Sequence, residues 1–279
     1  MKRTIKLVIY YFLYQLLFTA LVLFVALLIQ AVRSGGDLQE LIDSLQSGAL
    51  IGSPTITAFS TLLAASVMLW HLLHYKYVSF STAYLKKENL VVLLVCIPFI
   101  YALMYLGGLL SEAVNLPNLL EDTFMDMSHS VWGILSIVVA APVLEETLFR
   151  GAIEGHLLTL WKGKPWAAIL VSALVFGIIH MNPAQVFYAS LIGIVLGWLR
   201  WRTDSIVPGI LGHMLNNGLS VVFMRLYGAD GSLEESLGEE AEVWFIVAYA
   251  IIFVASLWFI HRKTKKTDNA CNLSEVSNV

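Results

Sequence analysis

Polar side chains that could carry out chemistry lie within apolar stretches at three places in the sequence. They are Glu145, Glu146 and Arg150; Phe176 and His180; and His213 and Asn217. On insertion scales an ionisable residue costs about 2.5 to 3.5 kcal/mol at the centre of a spanning helix, so each one requires an explanation. A carboxylate, two imidazoles and an amide are groups with which a protein abstracts a proton and stabilises a developing oxyanion.

The spacing within the first stretch predicts different roles for its two carboxylates. Glu146 and Arg150 are four residues apart and share a helix face, so we expect an internal ion pair that lowers the cost of burying both charges. Glu145 points about 100° away from Glu146 on a regular helix, which leaves it without a local partner. We therefore expect Glu145 to be the carboxylate that accepts a proton as a general base.

The second and third stretches add imidazole and amide groups. His213 and Asn217 are four residues apart, so both side chains can point into one cavity and donate hydrogen bonds to an oxyanion. His180 comes from another helix, and Phe176 lies one turn before it, where its ring would form a wall of the pocket. Asn216 is predicted to be a packing residue.

The rest of the chain predicts an all-α polytopic membrane protein. Of the 279 residues, 58% are hydrophobic and 13% are charged, and the mean hydropathy is +0.76, whereas soluble proteins contain about 25% charged residues. The net charge of −3 gives no indication of nucleic-acid binding. Because a spanning helix needs about 20 mostly apolar residues, the sequence predicts about eight transmembrane helices. Their ranges are about 5–32, 55–75, 90–110, 129–150, 166–181, 185–201, 206–227 and 243–261.

The fourth of these helices must extend beyond 150 if the three stretches are to meet. At about 1.5 Å per residue, His180 lies roughly 21 Å above the start of its helix at Trp166. A fourth helix that ended at Arg150 would leave Glu145 only about 8 Å deep. If the helix continues to about Trp161, Glu145 lies roughly 24 Å deep, close to the level of His180. We therefore predict a long, tilted fourth helix with the site near mid-membrane.

Loop charges predict the orientation and the organisation of the chain. If the N-terminus is cytoplasmic, most Lys and Arg residues fall on the cytoplasmic side, and the acidic segments 111–128 and 228–242 fall on the outer side. We therefore expect both termini to be cytoplasmic.

A short interfacial helix is predicted within 33–54. The predicted parts are helices one to three in 1–128, a core of helices four to seven in 129–227, an outer acidic loop with helix eight in 228–266, and a polar tail in 267–279.

Helix breakers and small residues surround the polar stretches. Pro142, Pro183 and Pro208 each lie within five residues of one of them. In lipid, such positions are tolerated where protein or a wet cavity satisfies the backbone groups that are left free. Gly193 and Gly197 form a small-xxx-small pattern that permits close helix contact. The sequence therefore predicts a hydrated cavity within tightly packed helices.

The three stretches resemble the motif set of the intramembrane proteases of the CAAX-processing and bacteriocin-processing family, also called the Abi family. In that family a pair of glutamates, with an arginine four residues after the second, is followed by Phe-xxx-His and then by His-xxx-Asn. The matching residues, in the same order, are Glu145, Glu146 and Arg150, then Phe176 and His180, then His213 and Asn217. The resemblance covers roughly 130–222, so 129–227 would be the catalytic core.

The resemblance implies roles for these residues. Glu145 and His180 would activate the attacking water, and His213 and Asn217 would stabilise the tetrahedral oxyanion of the scissile peptide bond. Glu146 and Arg150 would be structural support. The implied substrate is a hydrophobic, lipidated or membrane-inserted peptide, of the CAAX type or resembling a bacteriocin.

The resemblance leaves the cofactor open. A divalent metal such as zinc, held by Glu145, His180 and His213 with water as the fourth ligand, would be a legitimate catalytic geometry. The sequence lacks a His-Glu-x-x-His motif, and we favour water activation without a metal.

Other functions also fit buried glutamates and histidines. A proton-coupled transporter uses such residues as relays, although the sequence shows no related halves with paired broken helices. A non-catalytic membrane scaffold or immunity protein is a further alternative. At single positions, Glu145 could belong to a structural ion network, Asn217 could link helices, and Glu154 is expected to reach the membrane interface.

Overall fold

Ten helices make up the described part of the chain. The computed structural model describes the backbone of 2–46, 48, 50, 53–78, 87–228 and 239–264, and the side chains of these residues except 87–89 and 239–241. The helices are α1 (Lys2–Arg33), α2 (Leu38–Gln46), α3 (Pro54–His74), α4 (Lys87–Val114), α5 (Glu121–Ser128), α6 (Val131–Leu160), α7 (Pro165–Ile178), α8 (Pro183–Thr203), α9 (Val207–Tyr227) and α10 (Glu239–Lys263). Within these residues there is no β-strand, and the predicted all-α fold is confirmed.

Six of the described helices are long and apolar enough to cross a membrane, namely α1, α3, α4, α6, α8 and α10. The protein is therefore an integral membrane protein, but the predicted count of eight spans is not confirmed. α7 has only 14 residues, because the chain turns at Met181, which has a positive φ of 52°. α9 has 21 residues but carries polar side chains on the face that meets α6.

The central helix α6 is as long as the depth argument requires. It runs to Leu160 rather than ending at Arg150. Two stretches of α6, Ser136–Ala140 and Glu146–Glu154, are π-helical. A π-helix bonds each N–H to the carbonyl five residues earlier, so side chains within it no longer keep the spacing of a regular α-helix.

Two apolar clusters fix the helices around α6. The first joins α1, α3, α6, α7 and α8 and includes Leu7, Met68 and Phe149. The second joins α4, α8 and α10 and includes Phe99 and Ile260. Since α8 contributes to both clusters, it links α6 and α7 on one side to α4 and α10 on the other.

Glycines allow α7 and α8 to approach closely. A Cβ on Gly177 of α7 would lie 2.6 Å from the carbonyl oxygen of Val186. A Cβ on Gly193 of α8 would lie 3.1 Å from the Cα of Ala173. The close packing predicted from the small-xxx-small pattern is therefore present at Gly193.

A short helix lies in the segment between α1 and α3. It is α2, within the predicted range 33–54, and the Asp37 carboxylate accepts a hydrogen bond from the backbone N–H of Gln39 at its start, at 2.9 Å. Most of the predicted acidic loop in 228–242 and all of the predicted tail in 267–279 lie outside the described residues.

Candidate active site

The three sequence stretches meet at one cavity inside the bundle. The cavity has a volume of about 430 Å³. The predicted site residues that line it are Glu145, Phe176, His180, His213 and Asn217. Its other walls come from α3, α5, α8 and the segment before α5, and they include the uncharged polar residues Thr57, Thr61, Asn118 and Gln185. The four residues predicted to converge on one pocket thus do so, and their chemical roles remain a prediction.

The predicted ion pair between Glu146 and Arg150 is present behind the cavity. Nη1 of Arg150 lies 2.8 Å from Oε1 of Glu146, and the two side chains are 1% and 0% exposed. The same Glu146 oxygen lies 3.0 Å from Nδ1 of His213. Because an ionised carboxylate only accepts hydrogen bonds, Nδ1 is the donor, and Glu146 supports His213 directly as well as neutralising Arg150.

His213 lies between both glutamates, which sequence reasoning did not predict. Its Nε2 is 3.8 Å from Oε2 of Glu145, while Nδ1 contacts Glu146. Glu145 thus has a partner from a distant part of the chain rather than a local one, and it is the carboxylate that faces the cavity. The two nitrogens lie on different edges of the ring, so carboxylates on different sides of α6 can both reach it.

Phe176 does more than wall the pocket. The Cζ of Arg150 lies 4.2 Å from the centroid of its ring, a cation–π contact. The rings of His180 and His213 pack edge-on against it at centroid distances of 5.0 and 5.8 Å. Phe176 therefore contacts both imidazoles and also the guanidinium of Arg150.

His180 lies just beyond the end of α7 and is held by its own backbone. Its Nδ1 is 2.8 Å from the carbonyl oxygen of Phe176, so Nδ1 donates and Nε2 is left to accept. The turn that follows is anchored by Asn182, which is fully buried. Asn182 accepts a hydrogen bond from the N–H of Leu119 at 3.0 Å and donates one to Asn118 at 2.8 Å. Sequence reasoning recognised the break at 182–183 but missed this anchor.

Asn217 is held in a row of hydrogen bonds along the cavity wall. Its Nδ2 donates to the carbonyl oxygen of Ile137 at 2.9 Å, and its Oδ1 accepts from Asn216 at 3.1 Å. Asn216 in turn accepts from the Tyr188 hydroxyl at 2.9 Å. Asn216, which was predicted to be a packing residue, is buried and takes part in two of these hydrogen bonds. Tyr188 was missed, because no spacing in the sequence connects it to the motifs.

Glu154 is fully buried rather than at the membrane interface, and the prediction that it reaches the interface is wrong. Both of its carboxylate oxygens lack a hydrogen-bond partner among the described residues. A Cβ on Gly197 of α8 would lie 2.6 Å from Glu154 Oε2. Since α6 continues within the bundle to Leu160, Glu154 faces α8, and Gly197 makes room for it.

The candidate metal ligands are Glu145, His180 and His213. Among the described residues, no three His, Cys, Asp or Glu side chains lie close enough together to hold a metal ion. Nδ1 of His213 is bonded to Glu146 and Nδ1 of His180 to a backbone carbonyl, so Nε2 is the nitrogen of each ring that could bind a metal. As arranged, however, Glu145, His180 and His213 do not come close enough together to fit a zinc triad.

The fold and the cavity define a polytopic α-helical membrane protein with a glutamate–histidine site buried between its helices. Comparison with known families agrees. Residues 127–219 match the model of the type II CAAX prenyl endopeptidase Rce1-like family. The resemblance predicted from the motifs is thus confirmed for the segment that carries the site.

Three relatives show similarity to part of the chain. YdiL of Bacillus subtilis (strain 168), whose name proposes a membrane peptidase, is 32% identical over 134 residues, 47% of this chain and 51% of YdiL. An uncharacterised 24.3 kDa protein of Escherichia coli is 29% identical over 133 residues, 44% of this chain and 60% of that protein. The membrane-embedded CAAX protease MroQ of Staphylococcus aureus (strain USA300) is 30% identical over 97 residues, 33% and 39% of the two chains. The chain thus spans about half the length of these relatives, and no solved structure matches it significantly.

Proposed function

We propose that the protein is an intramembrane endopeptidase that hydrolyses a peptide bond with water activated by Glu145. The observation that carries the proposal is the single cavity lined by Glu145, His180, His213 and Asn217. It contains a base, two imidazoles and an amide donor, which are sufficient for hydrolysis by an activated water. The match of 127–219 to a family of endopeptidases supports the same chemistry.

In the proposed reaction Glu145 takes a proton from a water that is held between its carboxylate and Nε2 of His180. The water oxygen attacks the scissile carbonyl carbon, and the carbonyl oxygen becomes an oxyanion. His213 and Asn217 donate hydrogen bonds to that oxyanion. The proton on Glu145 then passes to the amine nitrogen as the C–N bond breaks, so Glu145 ends the cycle ionised.

Glu146 and Arg150 have a supporting role in this proposal. Glu146 accepts the Nδ1 hydrogen of His213, which fixes the imidazole plane and leaves Nε2 for the oxyanion. Donation from both nitrogens of His213 requires a protonated ring, and the carboxylates of Glu145 and Glu146 supply the matching negative charge within 4.0 Å.

We further propose that no metal takes part. Metal analysis of the purified protein, together with its activity in the presence of a chelator, tests this point.

The proposed substrate is a hydrophobic, lipidated or membrane-inserted peptide. The cavity lies among membrane-spanning helices, and much of its wall is apolar, including Phe124, Ile192 and Val221. The uncharged polar groups of Thr57 and Gln185 can hydrogen-bond a peptide backbone without demanding a charged side chain. A CAAX-type or bacteriocin-like peptide, presented from the bilayer, has these properties.

We also propose that both termini face the cytoplasm. The reason is the concentration of Lys and Arg at the chain ends and in the loops on one side, as the positive-inside rule requires. Labelling of cysteines introduced at Lys2 and Lys263 with a membrane-impermeant reagent, in intact and in opened cells, tests the orientation.

The function is tested by comparing membrane peptides from cells that express the wild type or the Glu145→Gln variant. We expect at least one peptide to be cleaved only by the wild type, and purified protein to cleave it with a rate that Glu145→Gln, His180→Ala and His213→Ala each abolish. Glu40→Gln, on the exposed face of α2, is the matched control and should keep wild-type activity. Full complementation of a deletion strain by Glu145→Gln would contradict the enzyme and favour a scaffold.

A further inference from the structure

A row of hydrogen bonds runs in one direction along the cavity wall, across three helices. The Tyr188 hydroxyl on α8 donates to Oδ1 of Asn216 on α9 at 2.9 Å. Nδ2 of Asn216 donates to Oδ1 of Asn217 at 3.1 Å. Nδ2 of Asn217 donates to the backbone carbonyl of Ile137 on α6 at 2.9 Å. All four residues line the cavity.

The row ends at a carbonyl that α6 leaves free. In the π-helical stretch Ser136–Ala140 the N–H of Ala141 donates to the carbonyl of Ser136, five residues earlier. The corresponding donor for Ile137 would be residue 142, which is a proline and has no N–H. The side chain of Asn217 takes the place of the missing backbone donor and satisfies this partly buried carbonyl.

The direction of every bond follows from this end. A carbonyl oxygen only accepts, so Asn217 must present its NH₂ group to Ile137 and its oxygen to Asn216. Asn216 must then present its own NH₂ group to Asn217 and its oxygen to Tyr188, whose hydroxyl must donate. The amide plane of Asn217 is thereby fixed from both ends, and one of its two Nδ2 hydrogens remains available to a substrate.

We propose that Tyr188 and Asn216 are positioning residues that aim the remaining Nδ2–H of Asn217 at the reacting carbonyl. The inference rests on the proposed endopeptidase function, in which Asn217 donates to the oxyanion. The ring of Tyr188 is itself held against α4, because Gly107 has no side chain there and a Cβ on it would lie 3.1 Å from Cε2 of Tyr188. The row thus begins at a fixed hydroxyl and ends at a fixed carbonyl.

The test is a double-mutant cycle with Tyr188→Phe, which removes only the hydroxyl, and Asn217→Ala. Loss of one hydrogen bond corresponds to about a three- to tenfold effect, so Tyr188→Phe should lower kcat by about that factor. KM should change by less than about twofold, because the bond acts on the oxyanion rather than on ground-state binding. In the Asn217→Ala background, Tyr188→Phe should have no further effect on kcat. Tyr101→Phe, which removes a hydroxyl from outside the cavity lining, is the control and should leave kcat unchanged.

Three outcomes separate this inference from the function on which it rests. Effects of Tyr188→Phe and Asn217→Ala on kcat that multiply independently would overturn the positioning role while leaving the endopeptidase intact. Coupling of the two substitutions in thermal unfolding but not in kcat would also overturn the positioning role, since the row of hydrogen bonds would then be purely structural. Absence of cleavage by the wild type, with wild-type complementation by Asn217→Ala, would instead remove the function and the inference together.

Discussion

The adjacent glutamates at 145 and 146 offer the sharpest test of the site, because substitution by glutamine should affect cleavage at one position and stability at the other. Glu145→Gln should abolish cleavage and leave the fold stable, whereas Glu146→Gln should destabilise the protein. Glu146 is fully buried and its Oε1 contacts both Nη1 of Arg150, at 2.8 Å, and Nδ1 of His213, at 3.0 Å. Glu145 lines the cavity, and its Oε2 lies 3.8 Å from Nε2 of His213.

The size of the difference follows from what each substitution leaves behind. Glutamine at 146 removes the carboxylate that contacts the guanidinium of Arg150, which is only 1% exposed. Removing one partner of a buried pair costs about 3 to 5 kcal/mol, which for a chain of this size lowers the unfolding temperature by roughly 6 to 20 °C. Glutamine at 145 loses only a long contact in a cavity, about 1 kcal/mol or less. Loss of the general base should instead lower the rate by about 10²- to 10⁴-fold.

The assay is thermal unfolding of both variants and the wild type in the same detergent, followed by cleavage of the same peptide. The double variant Glu146→Gln, Arg150→Met is the control for a general disturbance of α6. Because Arg150→Met removes the buried positive charge as well, the double variant should recover part of the stability that Glu146→Gln loses. Equal unfolding temperatures for Glu145→Gln and Glu146→Gln would refute the assignment of Glu146 and Arg150 to a buried supporting pair.

Three further predictions concern the packing around the cavity, and each is measured by thermal unfolding. Gly197→Ala places a methyl group 2.6 Å from Glu154 Oε2 and should destabilise, whereas Gly108→Ala, where a Cβ meets nothing within 4 Å, should be neutral or stabilising by up to about 1 kcal/mol. Glu154→Gln should change stability by less than about 1 kcal/mol, because neither oxygen has a hydrogen bond to lose. Phe176→Leu should destabilise by about 1 to 3 kcal/mol and also reduce cleavage, since the ring contacts Arg150 and both imidazoles.

Much of the fold could be predicted from apolar length alone. A run of 32 residues such as α1 cannot be anything but a membrane helix once its composition is known. The depth of Glu145 relative to His180 also predicted that α6 continues past Arg150, and it does. The predicted count of eight spans is not confirmed, because α7 has only 14 residues and α9, which carries polar side chains, is not among the six helices that are long and apolar enough to cross a membrane.

The site could be predicted as a set of residues but not as a set of contacts. Spacing of four predicts the pair Glu146 and Arg150, since both residues lie on one helix and no tertiary information is needed. The bond from Glu146 to His213 joins residues 67 positions apart, and the bond from Tyr188 to Asn216 joins residues 28 apart. Their partners depend on how α8 and α9 rotate against α6, which local spacing does not determine.

A π-helical stretch begins between the two glutamates. The regular helix ends at Glu145, and the π-helical stretch starts at Glu146. The change in geometry therefore falls between two identical side chains, of which one lines the cavity and the other is buried against Arg150. In a uniform α-helix the two side chains would point about 100° apart around the helix axis. π-helical turns are rare and are often found at functional sites, and this one separates a carboxylate that lines the cavity from one that is buried behind it. Glu145→Gln and Glu146→Gln measure the difference between these two environments.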